Sequence, residues 1–575
     1  MNHYNLLDES WIKVIHKDTG ETHTLSLNEL FNQVGQYTDL AGESAIQDFS
    51  VFRVLLATLH TVFSRFDSKG EPYLNLEMGD RYTQLTEIDE DDQEEYEDDL
   101  RQTWVDLWES KQFPSILNDY LEAWRDSFYL MSDSKPFFQV TEAALNSVET
   151  VKGAKPTVKE YKNVRGDMYE SSNKNRILSD ITGNEDVKNA VNLDELTRWV
   201  LTYQGYSNTA DKSTMYKEDD QGNSLKGTYG WLYSIGGIYL KGDTLFDTLM
   251  LNLVLVHPEE QYRFNIQKPY WEYTQVEWLK KLSSGNNPDN LAELYTYWGR
   301  LIYIDPEIKG GSVISLKKAN MRVIKALKLD NIDYFLEPMT VYQYDKKEES
   351  YRPRQYKHSE KFWQHMGRVY LGVESGRKPG IIDNYLTLPE DLGIETLRLQ
   401  SVGAINDGNA TSWSIKDIYN QSISIKEGIS RDIDDEGWII RINDEVGIIN
   451  QLVGFNYGLY VKKLYLIRGF GDKNIKSQVE PKQERVYQIV DEYFQEWLYT
   501  IKKEDRKDVK VQEWRDTLKR ILYTLVQEDL KPLRSKDYRM VEVATSGRKG
   551  DTEDVNIATI VNLFLATVNR KLGGS

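Results

Sequence analysis

The chain has 575 residues, of which 40% are hydrophobic and 12% aromatic, enough for a large buried core and more than one domain. Its formal net charge of −20 argues against a protein that coats nucleic acid indiscriminately, because such affinity comes from many lysines and arginines on phosphates. The absence of cysteine excludes disulfides, thiolate nucleophiles and cysteine-ligated zinc. Without a long apolar run or a signal-peptide pattern, we expect a cytoplasmic protein with no membrane partner.

The first elements read as a strand followed by helices. Residues 4–14 predict a short strand, and Ser26 caps a helix that begins at Leu27. Apolar residues spaced three and four apart predict a buried helix over 47–66 and an amphipathic helix over 116–130. A strand therefore leads into helices at the start of the chain.

Two polar stretches interrupt the next part of the chain. Residues 139–192 have little periodicity and predict a long loop, a kind of segment that is usually functional or disordered. A second irregular stretch, 207–237, is rich in glycine and precedes an apolar helix that begins near Thr244. Residues 87–99 carry a run of acids that is most simply a solvated loop or helix end.

The last part of the chain predicts helices only, beyond about Trp438. Three-four spacing over 448–466, 486–501, 514–525 and 557–568 fits four amphipathic helices, and 426–436 makes a linker. We therefore expect an α+β protein, with a large mixed α/β N-terminal domain over 1–430 followed by an all-α four-helix bundle over 431–575.

Catalytic and metal-binding motifs are missing from the sequence. No glycine-rich phosphate loop is followed by lysine, the seven histidines have no zinc-ligand spacing, and no G-x-S-x-G elbow is present. We therefore expect no enzyme activity, no metal and no cofactor.

Several segments, taken in order, resemble the CasA family. They are LLDESWIKV at 6–14, WRDSFYL at 124–130, KPFFQ at 135–139 and GDTLFDTLMLNL at 242–253. Each motif alone is more often core packing, but their ordered combination with terminal helices is similar to the family from residue 1 to about 420.

The resemblance implies the large subunit of a type I-E CRISPR Cascade complex. Such a subunit recognises the PAM in double-stranded target DNA, helps open the duplex for R-loop formation and recruits a helicase-nuclease. Its implied partners are the crRNA, the small subunit, the subunit at the crRNA 5′ end and the backbone subunits.

The resemblance also implies a glycine-rich loop that lies along the PAM. Here it falls on Gly222, Asn223, Ser224, Lys226 and Gly227, where Asn223, Ser224 or Lys226 is the contacting residue. An ordinary flexible turn is the structural alternative.

Two further DNA contacts follow from the resemblance. A lysine that enters the minor groove is either Lys325 or Lys328, and the alternative is that both merely solvate a helix. The strand-separating wedge matches Gly408, Asn409 and Ala410, within an Asp-Gly sequence that predicts a hairpin turn. Asn409 is shorter than the glutamine common in the family, and the alternative there is a plain tight turn.

Docking on the crRNA-bound complex is implied for Asn175, Arg176, Ile177 and Leu178, within the long polar loop. An apolar pair in such a loop can also be incidental. Two other functions stay open: an uncharacterised hydrolase, and a scaffold that bridges proteins through its acidic surface.

Overall fold

The computed structural model describes residues 3–165, 189–219, 221–305, 307–309, 313–315, 321–329, 332–373, 376–406, 415–544 and 552–573. Within these residues the strands are β1 (His3–Asn5), β2 (Ile12–His16), β3 (Thr22–Leu25), β4 (Tyr37–Leu40), β5 (Tyr129–Met131), β6 (Thr157–Lys159), β7 (Ala190–Asn192), β8 (Gly237–Lys241), β9 (Arg300–Ile304), β10 (Glu307–Lys309), β11 (Val313–Ser315), β12 (Met321–Lys325), β13 (Tyr342–Asp345), β14 (Ser350–Pro353), β15 (Thr396–Asn406), β16 (Ile415–Lys426), β17 (Val541–Ala544) and β18 (Thr552–Val555).

The α-helices over the same residues are α1 (Leu27–Gln33), α2 (Ala45–Phe63), α3 (Gln93–Ser110), α4 (Ile116–Ala123), α5 (Glu142–Ser147), α6 (Leu193–Tyr206), α7 (Leu245–Leu251), α8 (Gln275–Ser284), α9 (Leu291–Tyr295), α10 (Met366–Tyr370), α11 (Gly380–Thr387), α12 (Glu427–Ser430), α13 (Trp438–Ile449), α14 (Gly458–Ile467), α15 (Asp472–Thr500), α16 (Lys507–Leu530) and α17 (Ile557–Leu572). This mixture of helices and strands confirms the α+β class.

The chain divides into two compact units. Unit 1 comprises Met1–His358, Glu374–Leu392 and Leu399–Gln421, and unit 2 comprises Ser359–Val373, Gly393–Arg398 and Ser422–Ser575.

Unit 1 begins with a small antiparallel sheet of order β3-β2-β4, in which Val14 pairs with both His23 and Leu40. Ser26 caps α1 through a reciprocal bond with Glu29, as the sequence predicts. The single predicted strand over 4–14 is wrong, because a turn separates β1 from β2. β1 pairs with β5 instead.

The core of unit 1 is built around α2. Nearly every side chain from Ile46 to Phe63 is buried, and α2 packs against α6 and α9, which confirms the predicted buried helix. Among the described residues this is the one helix long and apolar enough to cross a membrane, and 94% of its most apolar 18-residue stretch is buried inside the fold, as in a core helix.

The predicted helix over 116–130 is too long. α4 ends at Ala123, and Trp124 then donates its indole N–H to the carbonyl of Arg81 at 3.1 Å. Phe128 is fully buried just before β5. The apolar stripe is therefore real, but its second half leads into a strand pairing that local periodicity cannot reveal.

Two further sheets carry the predicted DNA-binding segments. One has the order β6-β12-β9, with Val323 of β12 paired to Ile302 and to Thr157 on its two sides. The other has the order β16-β15-β8. β15 ends at Asn406 and its neighbour β16 begins at Ile415, while the turn predicted around residues 406–411 lies, beyond Asn406, outside the described residues.

Unit 2 contains the long C-terminal helices. Here α14 packs against α15 and α17, and α16 packs against α15 and α17. The expectation of helices alone is wrong, because β17 and β18 form an antiparallel hairpin in which Val541 pairs with Val555. The four-helix bundle itself stays a prediction, since this unit also contains the hairpin, α10 and α12.

Candidate nucleic-acid interface

The segment that carries the predicted PAM loop is bonded to the end of β12. Lys325 donates its backbone N–H to Ser213 O at 2.9 Å and accepts from Met215 N at 3.0 Å. Thr214 thereby bridges to Lys325 in a parallel sense. The incoming half of the loop is fixed along the strand that ends in a candidate lysine.

The returning half of the loop pairs with the residues just after β12. Thr228 N donates to Ala326 O, and Lys328 N donates to Lys226 O, each at 2.9 Å. Lys226 and Lys328 both have exposed side chains. Backbone pairing therefore brings together two cations that lie about a hundred residues apart in the sequence.

A tight turn closes the loop between these two halves. The Asp219 carboxylate accepts from the backbone N–H of Gln221 at 2.9 Å and of Asn223 at 2.8 Å. Gly222 has φ +78°, a conformation that favours glycine. These bonds, the one from Asn223 first, lower the pKa of Asp219. Asn223 is therefore used to build the turn, and Ser224 next to it is exposed.

Gly227 is required by close packing. A Cβ atom there would lie 2.9 Å from the Cβ of Lys325 and 2.9 Å from the Cγ2 of Thr214. Carbon atoms pack at about 3.5–4.0 Å. Gly227 therefore lets the loop backbone lie directly on Lys325.

Lys325 is a half-buried cation. Its Nζ lies 3.4 Å from Thr209 O. Burial first, and then the charge of Arg300, lower the pKa of Lys325, while Asp211 opposes the shift. Part of the hydration shell of this ammonium is therefore already removed, which reduces the desolvation needed when it contacts another group.

A buried ionic cluster lies beneath the loop. Asp211 is 2.7 Å from Arg300 Nε and 2.6 Å from Lys159 Nζ, and Tyr203 donates to it at 2.8 Å. Burial alone raises the pKa of Asp211, but Lys159 and Arg300 more than offset this and lower it. Arg300 also donates to Thr228 O at 2.8 Å, so the cluster ties the loop to β9.

A second buried ion pair fixes the end of the same region. Arg53 and Glu337 form two bonds of 2.8 Å, with their side chains 2% and 0% exposed. Trp231 donates its indole N–H to Glu337 at 2.6 Å. Glu337 thus joins α2 to the residues that follow the loop.

A cleft of about 750 Å³ opens beside this region. Tyr229 and Tyr334 line it, together with Arg352 and Lys357. No carboxylate occurs among the described lining residues, although the chain has a net charge of −20. The cleft combines aromatic rings with cations, a combination that suits unpaired nucleic acid.

The cleft connects two of the predicted sites. Ala404, Ile405 and Asn406, at the end of β15, form one wall. A smaller cavity of about 20 Å³ shares Tyr229 and Tyr334 with the cleft and is also lined by Lys328. Tyr229 and Tyr334 therefore lie between the cavity lined by Lys328 and the cleft lined by the end of β15.

Metal-binding groups and two buried histidines bear on the chemistry of the described part of the chain. No group of three His, Asp or Glu side chains there could hold a metal ion. Burial first, with nearby cations, lowers the pKa of His60 to about 3, and burial is also the largest cause that lowers the pKa of His257 to about 4. Both histidines are therefore neutral and structural near pH 7.

The family model for the CRISPR-associated protein Cse1 matches residues 5–525. The chain belongs to the Cse1 family. The crystal structure of Thermobifida fusca Cse1 matches at 20% identity and a TM-score of 0.71, over 99% of this chain and 98% of that chain. The crystal structure of Cse1 from Acidimicrobium ferrooxidans matches at 18% identity and a TM-score of 0.70, with both chains fully covered. No curated protein matches the chain.

Thermus thermophilus CasA, also called Cse1, matches at 16% identity and TM-score 0.65, with both chains fully covered. A chain of a structure described as a CRISPR RNA-guided surveillance complex matches at 15% identity and a TM-score of 0.67. The match covers 99% of this chain and 100% of that chain. The resemblance to the CasA family is therefore confirmed. At these identities the structural matches establish the fold.

Some predicted residues of this Cse1-family chain lie together, and others cannot be placed. Lys226, Gly227, Lys325 and Lys328 form one surface. Gly222, Asn223 and Ser224 lie at the turn of the same loop. The predicted wedge residues Gly408, Asn409 and Ala410, and the docking residues Asn175, Arg176, Ile177 and Leu178, lie outside the described residues.

The sequence reasoning missed the groups that hold this surface in place. Arg300 begins an otherwise apolar strand, RLIYI, and a lone arginine there signals a buried partner. Asp211, Lys159 and the cleft tyrosines gave no comparable signal, because their neighbours come from distant segments.

Proposed function

We propose that this chain is the large subunit of a type I-E crRNA-guided Cascade complex. In this proposal it recognises the PAM in double-stranded DNA, helps open the duplex for R-loop formation and recruits the helicase-nuclease. It acts without catalytic chemistry of its own, in the cytoplasm. Membership of the Cse1 family supports the complex, and the described loop supports the DNA contact.

The observation that carries the DNA-binding role is the convergence of Lys226, Lys325 and Lys328 around Gly227. Lysine side chains are attracted by the negative potential of a minor groove. The hydrogen-bond acceptors there are similar for different base pairs, so a lysine contact accepts several sequences. The backbone pairing between the loop and β12 holds the backbone of the three lysines in a fixed arrangement. A fixed arrangement selects a groove geometry, whereas a solvated pair of lysines would not.

Duplex opening is supported by the cleft. Tyr229 and Tyr334 offer ring faces that only an unpaired base can cover, because paired bases are stacked inside the duplex. The cleft wall includes Asn406, the last residue of β15, and the proposed wedge residue Asn409 follows three residues later in the sequence. An opened strand would therefore meet a stacking surface next to the proposed wedge.

The partners in this proposal are the crRNA, the small subunit, the subunit at the crRNA 5′ end, the backbone subunits, target DNA and the helicase-nuclease. Two of the matched chains come from structures described as CRISPR RNA-guided surveillance complexes. These descriptions, together with coverage of the whole chain, support an assembly of this type.

The test is a gel shift of the assembled complex on duplexes that carry or lack a PAM, with and without this chain. We expect PAM-dependent binding only when the chain is present. Lys325→Ala should weaken binding about tenfold and lower the salt slope by about one, as expected for one lost phosphate-region cation. Lys280→Ala removes an exposed lysine of α8 and should change neither value.

Two results would contradict the proposal. One is PAM discrimination by the complex that survives without this chain. The chain would then act only as a scaffold that bridges other proteins. The other is an equal loss of binding for Lys325→Ala and Lys280→Ala. The contribution of Lys325 would then come from the overall charge of the chain and not from its position beside the loop.

A further inference from the structure

The segment between α16 and β17 concentrates positive charge in a chain whose net charge is −20. Its cations are all exposed, and they are Lys531, Arg534, Lys536 and Arg539. Among the described residues, none of them forms an ion pair with a carboxylate. The segment lies beyond residues 5–525, which the family model matches, so membership of the family assigns it no role.

The carboxylates next to these cations already have partners. Asp529, near the end of α16, pairs with Lys482 at 2.7 Å. Asp537, inside the segment, is fully buried and lies 3.6 Å from Arg468 Nε. Two exposed acids follow on the β17–β18 hairpin, Glu542 and Asp554. The exposed surface of the segment itself is therefore cationic.

Hydrogen bonds hold the backbone of this segment in place. Arg534 donates its backbone N–H to Asp537 Oδ2 at 3.2 Å, and a 3₁₀ turn over Ser535–Tyr538 follows. Lys536 Nζ donates to Arg468 O at 3.0 Å. The cations therefore extend from a fixed backbone, which reduces the entropy lost when they bind a partner.

An exposed aromatic ring lies among these cations. Tyr538 is 57% exposed, and Arg539 follows it directly. Proteins bind single-stranded nucleic acid with cations that contact phosphates and with aromatic rings that stack on bases. A base inside a duplex has no free face for such a ring, so this combination suits an unpaired strand.

We propose that residues 531–540 bind single-stranded nucleic acid. Tyr538 stacks on a base, and Lys531, Arg534 and Arg539 contact phosphates. An acidic protein segment would satisfy the cations but would not use the tyrosine ring. The contact belongs to unit 2, whereas the proposed PAM loop and the cleft belong to unit 1. It rests on the proposed function only for the source of the strand, which is either displaced target DNA or crRNA.

The test measures the fluorescence anisotropy of a labelled oligothymidine of about 12 nucleotides as the full chain is added. Replacing Lys531, Arg534 and Arg539 together by alanine should weaken binding at least ~10-fold. The slope of log affinity against log salt should also become shallower by about 2, because each phosphate contact of a single strand contributes about 0.7.

A matched control removes the same charge elsewhere in unit 2. Lys503, Arg506 and Arg520 are exposed, and replacing them together by alanine should leave the affinity within about twofold, since distant exposed charges are screened by salt.

The tyrosine is tested separately from the charge. Tyr538→Leu removes the ring and should weaken binding at least ~5-fold without changing the salt slope, because stacking involves no phosphate. Tyr538→Phe keeps the ring and should bind like the unchanged chain.

Cross-linking locates the strand, because the cleft of unit 1 also suits unpaired nucleic acid. An oligothymidine that contains thiothymidine, irradiated with the full chain, should cross-link to the peptide that contains Tyr538, as identified by mass spectrometry. Oligouridine in the same assay distinguishes the two sources, since tighter binding of DNA indicates the displaced strand and tighter binding of RNA indicates the crRNA. The oligonucleotides carry no PAM, so a failed PAM-dependent gel shift with this binding intact would refute the proposed function alone.

Three outcomes would overturn the inference. Equal weakening by the two triple substitutions would mean general charge attraction. Cross-links confined to peptides of the cleft would place the strand in unit 1. Unchanged affinity of Tyr538→Leu, together with equally tight binding of a glutamate-rich peptide of the same charge, would make an acidic protein segment the occupant.

Discussion

Replacing Asp211 by asparagine tests whether the buried cluster holds the proposed DNA-binding loop. The carboxylate is 1% exposed and pairs with Lys159 and Arg300, which are 9% and 0% exposed. Asparagine keeps the shape but removes the charge, so two buried cations lose their counter-ion. Breaking a buried pair in this way costs about 3–5 kcal/mol.

The cost should appear locally, because Arg300 also holds the carbonyl of Thr228. We expect hydrogen exchange of the Thr228 and Lys325 amides to accelerate by at least ~100-fold, since about 3 kcal/mol corresponds to that factor. The control is Asp126→Asn. Asp126 pairs with Arg81 at 3.2 Å on the surface, with side chains 57% and 47% exposed, and such pairs contribute about 0–1 kcal/mol.

The effect should not change between pH 5 and pH 8. The pKa of Asp211 is lowered in the folded protein, so its contribution is complete above the unfolded value of about 4 and is lost only as pH falls below it. Exchange rates of Asp211→Asn that differ from those of Asp126→Asn by less than about tenfold would refute the anchoring role.

Two substitutions and one binding measurement on the unchanged chain also test the interface. Asn409→Ala should slow R-loop formation on linear duplexes and spare targets already unpaired beside the PAM, with partial rescue by negative supercoiling. The rate of R-loop formation is measured by kinetic footprinting. An equal loss of rate on both kinds of target would mean that the turn has only a structural role. Gly227→Ala should displace Lys325 and weaken PAM binding at least as much as Lys325→Ala, by gel shift. The isolated chain should bind duplex weakly, because its charge is −20; tight, salt-resistant binding would contradict this.

Local patterns predicted the elements whose stability is local. The cap at Ser26 and the apolar helix around Phe52 depend on residues within one or two turns, and both are present. Elements that depend on remote partners were missed or misjudged. β5 pairs with β1 across more than a hundred residues, and the β17–β18 hairpin interrupts a stretch read as helical.

The candidate site shows the same division. Lys226 and Lys325 were named from a family resemblance, and their proximity follows from backbone bonds that no local pattern contains. Glu337 has no role among the residues predicted from the sequence, yet it is a buried partner of Arg53. Arg300 could have been suspected from its apolar neighbours, but its partner Asp211 could not, since 89 residues separate the two.

The strong overall negative charge is compatible with the proposed role in DNA recognition because three lysines lie close together on one surface. Lys226, Lys325 and Lys328 are held on one loop–strand pair, and the cleft beside them lacks a described carboxylate. Elsewhere the acids repel phosphates over a distance of about 8 Å at physiological salt. In the proposed arrangement this surface makes the contact with duplex DNA. Because few cations take part, the affinity of the protein for duplex DNA stays low until the crRNA pairs with an opened strand. In such an arrangement the protein contact selects where opening begins, and base pairing supplies the stability that follows.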